Sequence, residues 1–276
     1  MNPEELLVNV KGLENISIGG LVLPADDFSI SDFIANQVGG TWLHPDGINS
    51  TMNLLKHVSL SKDMNVLDLG CGLGSTSRYI TKKYGCWVTA IDKDPDMIER
   101  AKKLTNGRVS HSIEYKTLDA NSSELISNSF DCVIIQSVLC FNEKAKILKE
   151  AYRLLKSGGK LVINEVTWLR KPTNTVERVT RSTICETFKG ALTKEQWQAL
   201  LTDIGFENTQ GTAYGFHVVT PYQMLREEGL FATLKIFWRV LRDPQTNMRL
   251  NAVSRYIKNY PGYFGYGIYS GTKAGV

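Results

Sequence analysis

The chain has 276 residues, 42% of them hydrophobic, enough for one large domain or a domain with a sizeable insertion. No run approaches about 18 consecutive apolar residues, and the N-terminus MNPEELLVNV carries two glutamates where a secretory signal would carry cations. Neither a membrane span nor a leader is therefore expected, and a net charge of +4 is too small to argue for nucleic acid.

Taken in chain order, residues 1–60 lack a β-rich run and are expected to be a helical N-terminal cap. From residue 65 apolar runs alternate with helical patterns, as in a parallel sheet built from βαβ units. The expected strands are 65–70, 87–92, 113–119, 130–136 and 160–166. Several are continuous apolar runs, as strands covered on both faces should be. Asp94-Pro95 opens a helix that stops before Gly107. Asn142 is expected to cap the next, which Gly158-Gly159 ends, and Thr193 with Gln196 resembles a capping box closed by Gly205. Segments 206–219 and 262–274 supply a final strand pair. Between them, 221–258 reads as a helical lid insertion holding seven cations against three acids, which equals the whole net charge. The expected fold is α/β: a Rossmann-like, doubly wound, mostly parallel seven-stranded sheet. Its core is 61–220 with 259–276.

Each expected strand ends in polar residues: Asp68, Asp92, Asp119, Gln136-Ser137 and Asn164-Glu165. In an open parallel sheet ligands sit beyond these carboxyl ends. After Asp68 the run GCGLGS sets Gly70, Gly72 and Gly74 at alternate positions, so the backbone can turn tightly and lie against a ligand. The following helix begins at Ser75-Thr76 with free N–H groups. Asp92, about twenty residues on, suits a ribose. A dinucleotide fingerprint would put Gly or Ala where Ser75 stands, and a diphosphate gains nothing from Asp68. A ligand with adenine, ribose and an ammonium accounts for Asp68, Asp92 and Asp119 together.

The run VLDLGCGLG, with AIDKDPDMIERAK, YKTLDA, FDCVIIQSVLCF and LLKSGGKLVINE in order, resembles the class I S-adenosylmethionine-dependent methyltransferases. The likeness is to the small-molecule group that includes ubiquinone/menaquinone, sterol and phosphoethanolamine enzymes, and it covers about residues 65–166. It implies S-adenosylmethionine as cofactor. Gly70, Cys71 and Gly72 would lie along its methionine part, Asp68 at the ammonium and Asp92 at the ribose. Asp119 with Ala120 would hold the adenine, Lys93 and Met97 would border it, and Gln136 would close the methionine end. Residues 43–60 resemble the segment that precedes the first motif in phosphoethanolamine-type enzymes, with His44 and Asp46 replacing that family's residues.

The expected activity is methyl transfer to O, N, S or C of a small, partly apolar molecule. A non-catalytic S-adenosylmethionine-binding protein and, further off, an NAD(P)-dependent oxidoreductase stand as alternatives. An Asn/Asp-Pro-Pro-aromatic run, expected of a nucleic-acid methyltransferase, is absent after the fourth strand. His44, Glu165, Tyr214 and His217 are candidate bases, none in a motif that assigns the role. Five cysteines (71, 86, 132, 140 and 185) without a CxxC pair indicate reduced thiols, no structural metal and a cytoplasmic setting. In GLFATLKIFWRVLRD, Leu230, Leu234, Phe237 and Leu241 share one helical face and Lys235, Arg239 and Arg242 another. That amphipathic lid could wall an apolar pocket or make peripheral contact with an anionic membrane surface.

Overall fold

A computed structural model describes residues 15–18, 21–24, 30–184, 188–216 and 220–275. His217 and Cys185 lie outside these, as does much of the N-terminal segment expected to be helical. The first elements are strands β1 (Asn15–Ile18) and β2 (Leu21–Pro24), an antiparallel pair, then a short helix α1 (Ile30–Asp32) running into a π-helical stretch, Phe33–Val38. The strand pair corrects the all-helical reading of 1–60. Next come α2 (Gly47–Leu54), β3 (Asn65–Leu69), α3 (Ser75–Tyr84), β4 (Trp87–Asp92), α4 (Pro95–Leu104) and β5 (Ile113–Thr117). The middle of the chain forms β6 (Phe130–Gln136), α5 (Lys144–Leu154), β7 (Leu155–Trp168), α6 (Asn174–Ile184), β8 (Leu192–Thr193) and α7 (Lys194–Ile204). It closes with β9 (Phe206–Gly215), α8 (Pro221–Glu228), α9 (Leu230–Arg242), α10 (Pro244–Asn259) and β10 (Phe264–Lys273).

The chain divides into two units. The larger comprises residues 41–171, 189–219 and 262–276 and carries a sheet of order β5-β4-β3-β6-β7-β10-β9, with the two-residue β8 added beside β7. Strands β3 to β7 pair in parallel, while β10 runs antiparallel to both β7 and β9. The chain leaves β3 toward β4 and β5, then returns to the other side of β3 as β6. The strand order therefore reverses beside β3, where open sheets of this kind take ligands.

Strand alternation splits the core in two. Leu67, Leu69, Val133, Ile135, Leu161 and Ile163 face α5 and α7, meeting Leu148, Trp197 and Leu201. Val66, Val88, Ala90, Cys132, Ile134 and Val162 face the other way, onto Leu54, Ile80, Ile98 and Ala101.

The caps expected at Asp94 and Thr193 are both made: Asp94 accepts from the backbone of Asp96 and Met97, and Thr193 with Gln196 forms the reciprocal box. Asn142 does not cap α5. Its side-chain amide turns back to the Val138 carbonyl at 2.7 Å, and the helix starts at Lys144. Strand β7 begins at Leu155 rather than at 160, immediately after the helix. Gly158, at φ 73°, absorbs the register irregularity opposite Phe130 and Cys132.

The smaller unit joins residues 1–40, 172–188 and 220–261, so the segment expected as a lid groups with α6 and the N-terminal elements, while 41–60 belong with the sheet. Its apolar centre is Phe33, Val38 and Ile236, with Met224, Val240 and Leu250 against them. Thr180 and Tyr256 share a buried hydroxyl hydrogen bond of 2.5 Å. Of the two roles open to the apolar face of α9, the structure leaves that face exposed: the helix buries Thr233 and Ile236 instead of Leu230, Leu234, Phe237 and Leu241.

Candidate active site

The turn after β3 is held by backbone bonds. The Gly70 and Cys71 N–H groups donate to the Ile91 carbonyl at 2.8 and 2.9 Å, and that of Gly74 donates to Cys71 at 2.9 Å. Gly70 has φ 77°, and a Cβ there would lie 2.2 Å from Val138 Cγ2, so only glycine fits. Gly72 N–H donates to Asp92 Oδ2 at 2.8 Å, while Asp92 Oδ1 takes the Asp94 N–H at 3.0 Å. The acid expected at the ribose thus also braces the loop. Burial raises its pKa, and the two backbone donors pull the other way.

A cleft opens beside this turn, walled by Thr41 to His44, Asp68, Gly70 to Gly72, Ser75-Thr76 and Gln136. Asp68 is 3% exposed, and burial pushes its carboxyl up to about 6 against the opposing pull of the Ser77 hydroxyl, which donates to Oδ2 at 2.5 Å. Gln136 accepts from Thr76 Oγ1 at 2.7 Å and donates to Thr51 Oγ1 at 3.1 Å. Thr51 Oγ1 stands 3.2 Å from His44 Nε2. Nδ1 lies 3.4 Å from the Pro45 carbonyl, which can only accept, so the proton is placed on Nδ1 and Nε2 accepts from the Thr51 hydroxyl. Burial holds the His44 pKa down to about 4, so the ring is neutral near pH 7. Both ring nitrogens are engaged, and His44 works as a brace between α2 and the strand ends. Asn164 completes the brace, donating to Ser50 Oγ at 2.8 Å.

Of the residues singled out from sequence, Asp68, Gly70, Cys71, Gly72 and Gln136 come together in this cleft, with Asp92 one hydrogen bond behind it. Met97 is buried at the start of α4, Lys93 is exposed at the end of β4, and Ala120 is half-buried. Asp119 is exposed, held by the Asn121 backbone and side-chain N–H groups at 2.8 and 2.7 Å, which lower its pKa.

Glu165 is not in the cleft. It follows Asn164, so alternation turns it to the opposite face, where Oε1 accepts from the Val138 and Leu139 N–H groups at 2.6 Å. Tyr214 stacks on Tyr266, whose hydroxyl donates to Asp46 Oδ2 at 2.9 Å. Sequence reasoning missed Thr41, Trp42, Ser77 and Thr51.

Residues 67–163 match the family described as "Methyltransferase domain". The chain is 33% identical over 172 residues to the "Uncharacterized methyltransferase YodH" of Bacillus subtilis, covering 60% of this chain and 70% of that one. The chain belongs to the class I S-adenosylmethionine-dependent methyltransferases. The methyltransferase is also 28% identical over 128 residues to phosphoethanolamine N-methyltransferase 1 of Arabidopsis thaliana, across 46% of this chain and 26% of that protein. It shares its fold with Haemonchus contortus phosphoethanolamine N-methyltransferase 2 in complex with S-adenosyl-L-methionine, with a TM-score of 0.63, 20% identity, and coverage of 92% and 62% of the two chains.

S-adenosylmethionine is the methyltransferase's cofactor, and the cleft fits its charge. Asp68 is the acid on its wall, His44 is neutral, and no Lys or Arg lines it among the described residues. A side chain on Gly72 would meet Leu43 Cδ1 at 3.1 Å, so the glycine keeps the backbone bare on the cleft wall.

Proposed function

We propose that the methyltransferase acts on an oxygen, nitrogen, sulfur or carbon atom of a small, partly apolar molecule. The observation that carries this is the cleft, walled within one unit by the apolar Trp42 and Leu43 on one side and the glycine turn on the other. The phosphoethanolamine relative points the same way.

When bound, the cofactor supplies an electrophilic methyl on a sulfonium, displaced in line by the acceptor. The protein's share is alignment and exclusion of water, and near-attack positioning lowers such barriers by about 7–11 kcal/mol. In this reading Asp68 holds the ammonium in its ionised form, and Gly70, Cys71 and Gly72 flank the methionine part. Asp92 takes the ribose hydroxyls. A carboxylate has roughly four lone-pair sites, and two of those on Asp92 remain after the Gly72 and Asp94 donors. Asp119 and Ala120 meet the adenine between Lys93 and Met97. Gln136, locked by Thr76 and Thr51, closes the methionine end.

Four described cysteines are unpaired, which supports a reducing, cytoplasmic setting, and none of the described helices is long and apolar enough to cross a membrane.

Incubating a cell extract with cofactor carrying an isotopically labelled methyl group, then separating small molecules from polymers by mass spectrometry, tests the acceptor class. Label in a low-mass product supports the proposal. Label confined to RNA or protein overturns it.

A further inference from the structure

Helix α9 divides into three sectors. Thr233 and Ile236 are buried and Val240 is half-buried, packing toward Phe33 and Val38. Lys235, Arg239 and Arg242 form a second sector. The third holds Leu230, Phe231, Leu234, Phe237, Trp238 and Leu241, all exposed, from 44% at Phe237 to 84% at Phe231. Single exposed apolar side chains are ordinary, but a contiguous sector on one helix is not. Tyr222 and Leu225 of the preceding α8 add two more exposed apolar side chains, at 73% and 43%.

We propose that this outer face of α9 lies in the headgroup region of an anionic lipid surface, with the apolar sector toward the acyl chains and the cations along its flank. The helix has 13 residues, about 20 Å, too short to span a bilayer but suited to lying in its plane. No Asp or Glu occurs between residues 230 and 242, so nothing on α9 opposes negative headgroups. Lys235 and Arg242 sit on one border of the apolar sector, where a membrane surface needs them, and Arg239 lies behind them with its guanidinium toward the Gln37 carbonyl at 3.5 Å. The Arg242 guanidinium stacks 3.9 Å from the Trp238 ring centre, which ties a cation to the indole at that border. A second copy of this chain fits less well. Pairing two such faces would bring two cationic flanks to one interface with no acid on α9 to answer either.

The inference is independent of which molecule is methylated, and its test does not use activity. The full chain is mixed with vesicles of phosphatidylcholine, with or without phosphatidylglycerol, and sedimented. Binding to the anionic vesicles is expected, weakening as salt is raised. Lys235→Gln and Arg242→Gln should each lower partitioning roughly fivefold, and Phe231→Ser with Leu241→Ser should reduce it more. These positions are exposed, and an unchanged cofactor-induced melting shift checks that each variant folds. Trp238 emission should move to the blue with anionic vesicles, and Trp238→Phe should remove that change. Failure of the folded protein to sediment with either vesicle overturns the proposal, as does binding insensitive to both variant sets. Self-association abolished by Phe231→Ser with Leu241→Ser would assign the face to a second copy and overturn it too.

Discussion

Ser77, in the first turn of the helix after the glycine turn, donates its hydroxyl to Asp68, in the strand before it, across 2.5 Å. The bond links the two sides of the turn and sets where one oxygen of the acid lies. It also opposes, without cancelling, the burial that raises the acid's pKa to about 6.

Cofactor affinity should therefore depend on pH. A protonated Asp68 cannot pair with an ammonium, so binding should tighten as pH rises through about 6. It should weaken about tenfold for each unit well below that value. Calorimetric titration from acid to neutral pH measures this, and Asp68→Asn should bind weakly at every pH with a flat profile. A wild-type profile equally flat would remove Asp68 from the binding step.

Asp92 makes a simpler test. With cofactor at 100 times its Kd, linkage adds about 2.7 kcal/mol of stability, readable as a melting shift that NADH does not reproduce. Asp92→Ala should abolish most of it. An unchanged shift would mean the ribose is held elsewhere.

Glu165 is fully buried, and burial pushes its pKa up to about 7 from 4.5 despite two backbone donors. Among the described residues its Oε2 has no hydrogen-bond partner. A carboxyl whose pKa is higher folded than unfolded favours the folded state at low pH and loses that advantage as pH rises through the folded value. Glu165 should thus cost up to roughly 3 kcal/mol of stability between about pH 4.5 and 7. Glu165→Gln keeps an acceptor for Val138 and Leu139 but cannot ionise. Chemical denaturation at pH 5 and pH 8 should show the variant losing less stability over that interval than the parent.

Gly70→Ala should destabilise the fold through two separable effects. The left-handed backbone costs a non-glycine residue about 1–2 kcal/mol, and the new methyl would overlap Val138 Cγ2. Adding Val138→Ala should recover the overlap but not the backbone cost. Denaturant midpoints of the single and double variants distinguish the two effects.

Local features were legible wherever a few neighbouring residues decide them. The Asp94 and Thr193 caps, the sheet strands and the turn at Gly70 to Gly74 depend on propensity, capping chemistry and glycine's freedom at positive φ. Asn142 misled because an amide that can cap the following helix can equally bond a carbonyl just before it, and here Val138, four residues back, took it. Glu165 could have been placed by alternation, since Asn164 and Glu165 cannot both face one side of a sheet.

By itself the sequence determined the parallel βαβ core, the bare turn after Asp68 and the family the chain belongs to, because strand period and backbone freedom are carried within a few residues. Only the tertiary structure decided how the site is finished. Ser50 reaching Asn164, Thr51 reaching Gln136 and Ser77 reaching Asp68 set the cleft's hydrogen bonding and its acidity. It also decided that α9 buries Thr233 and Ile236 and leaves its larger apolar sector outside. Helical spacing defines the stripes on a helix, but which stripe is buried depends on what the rest of the chain packs against it.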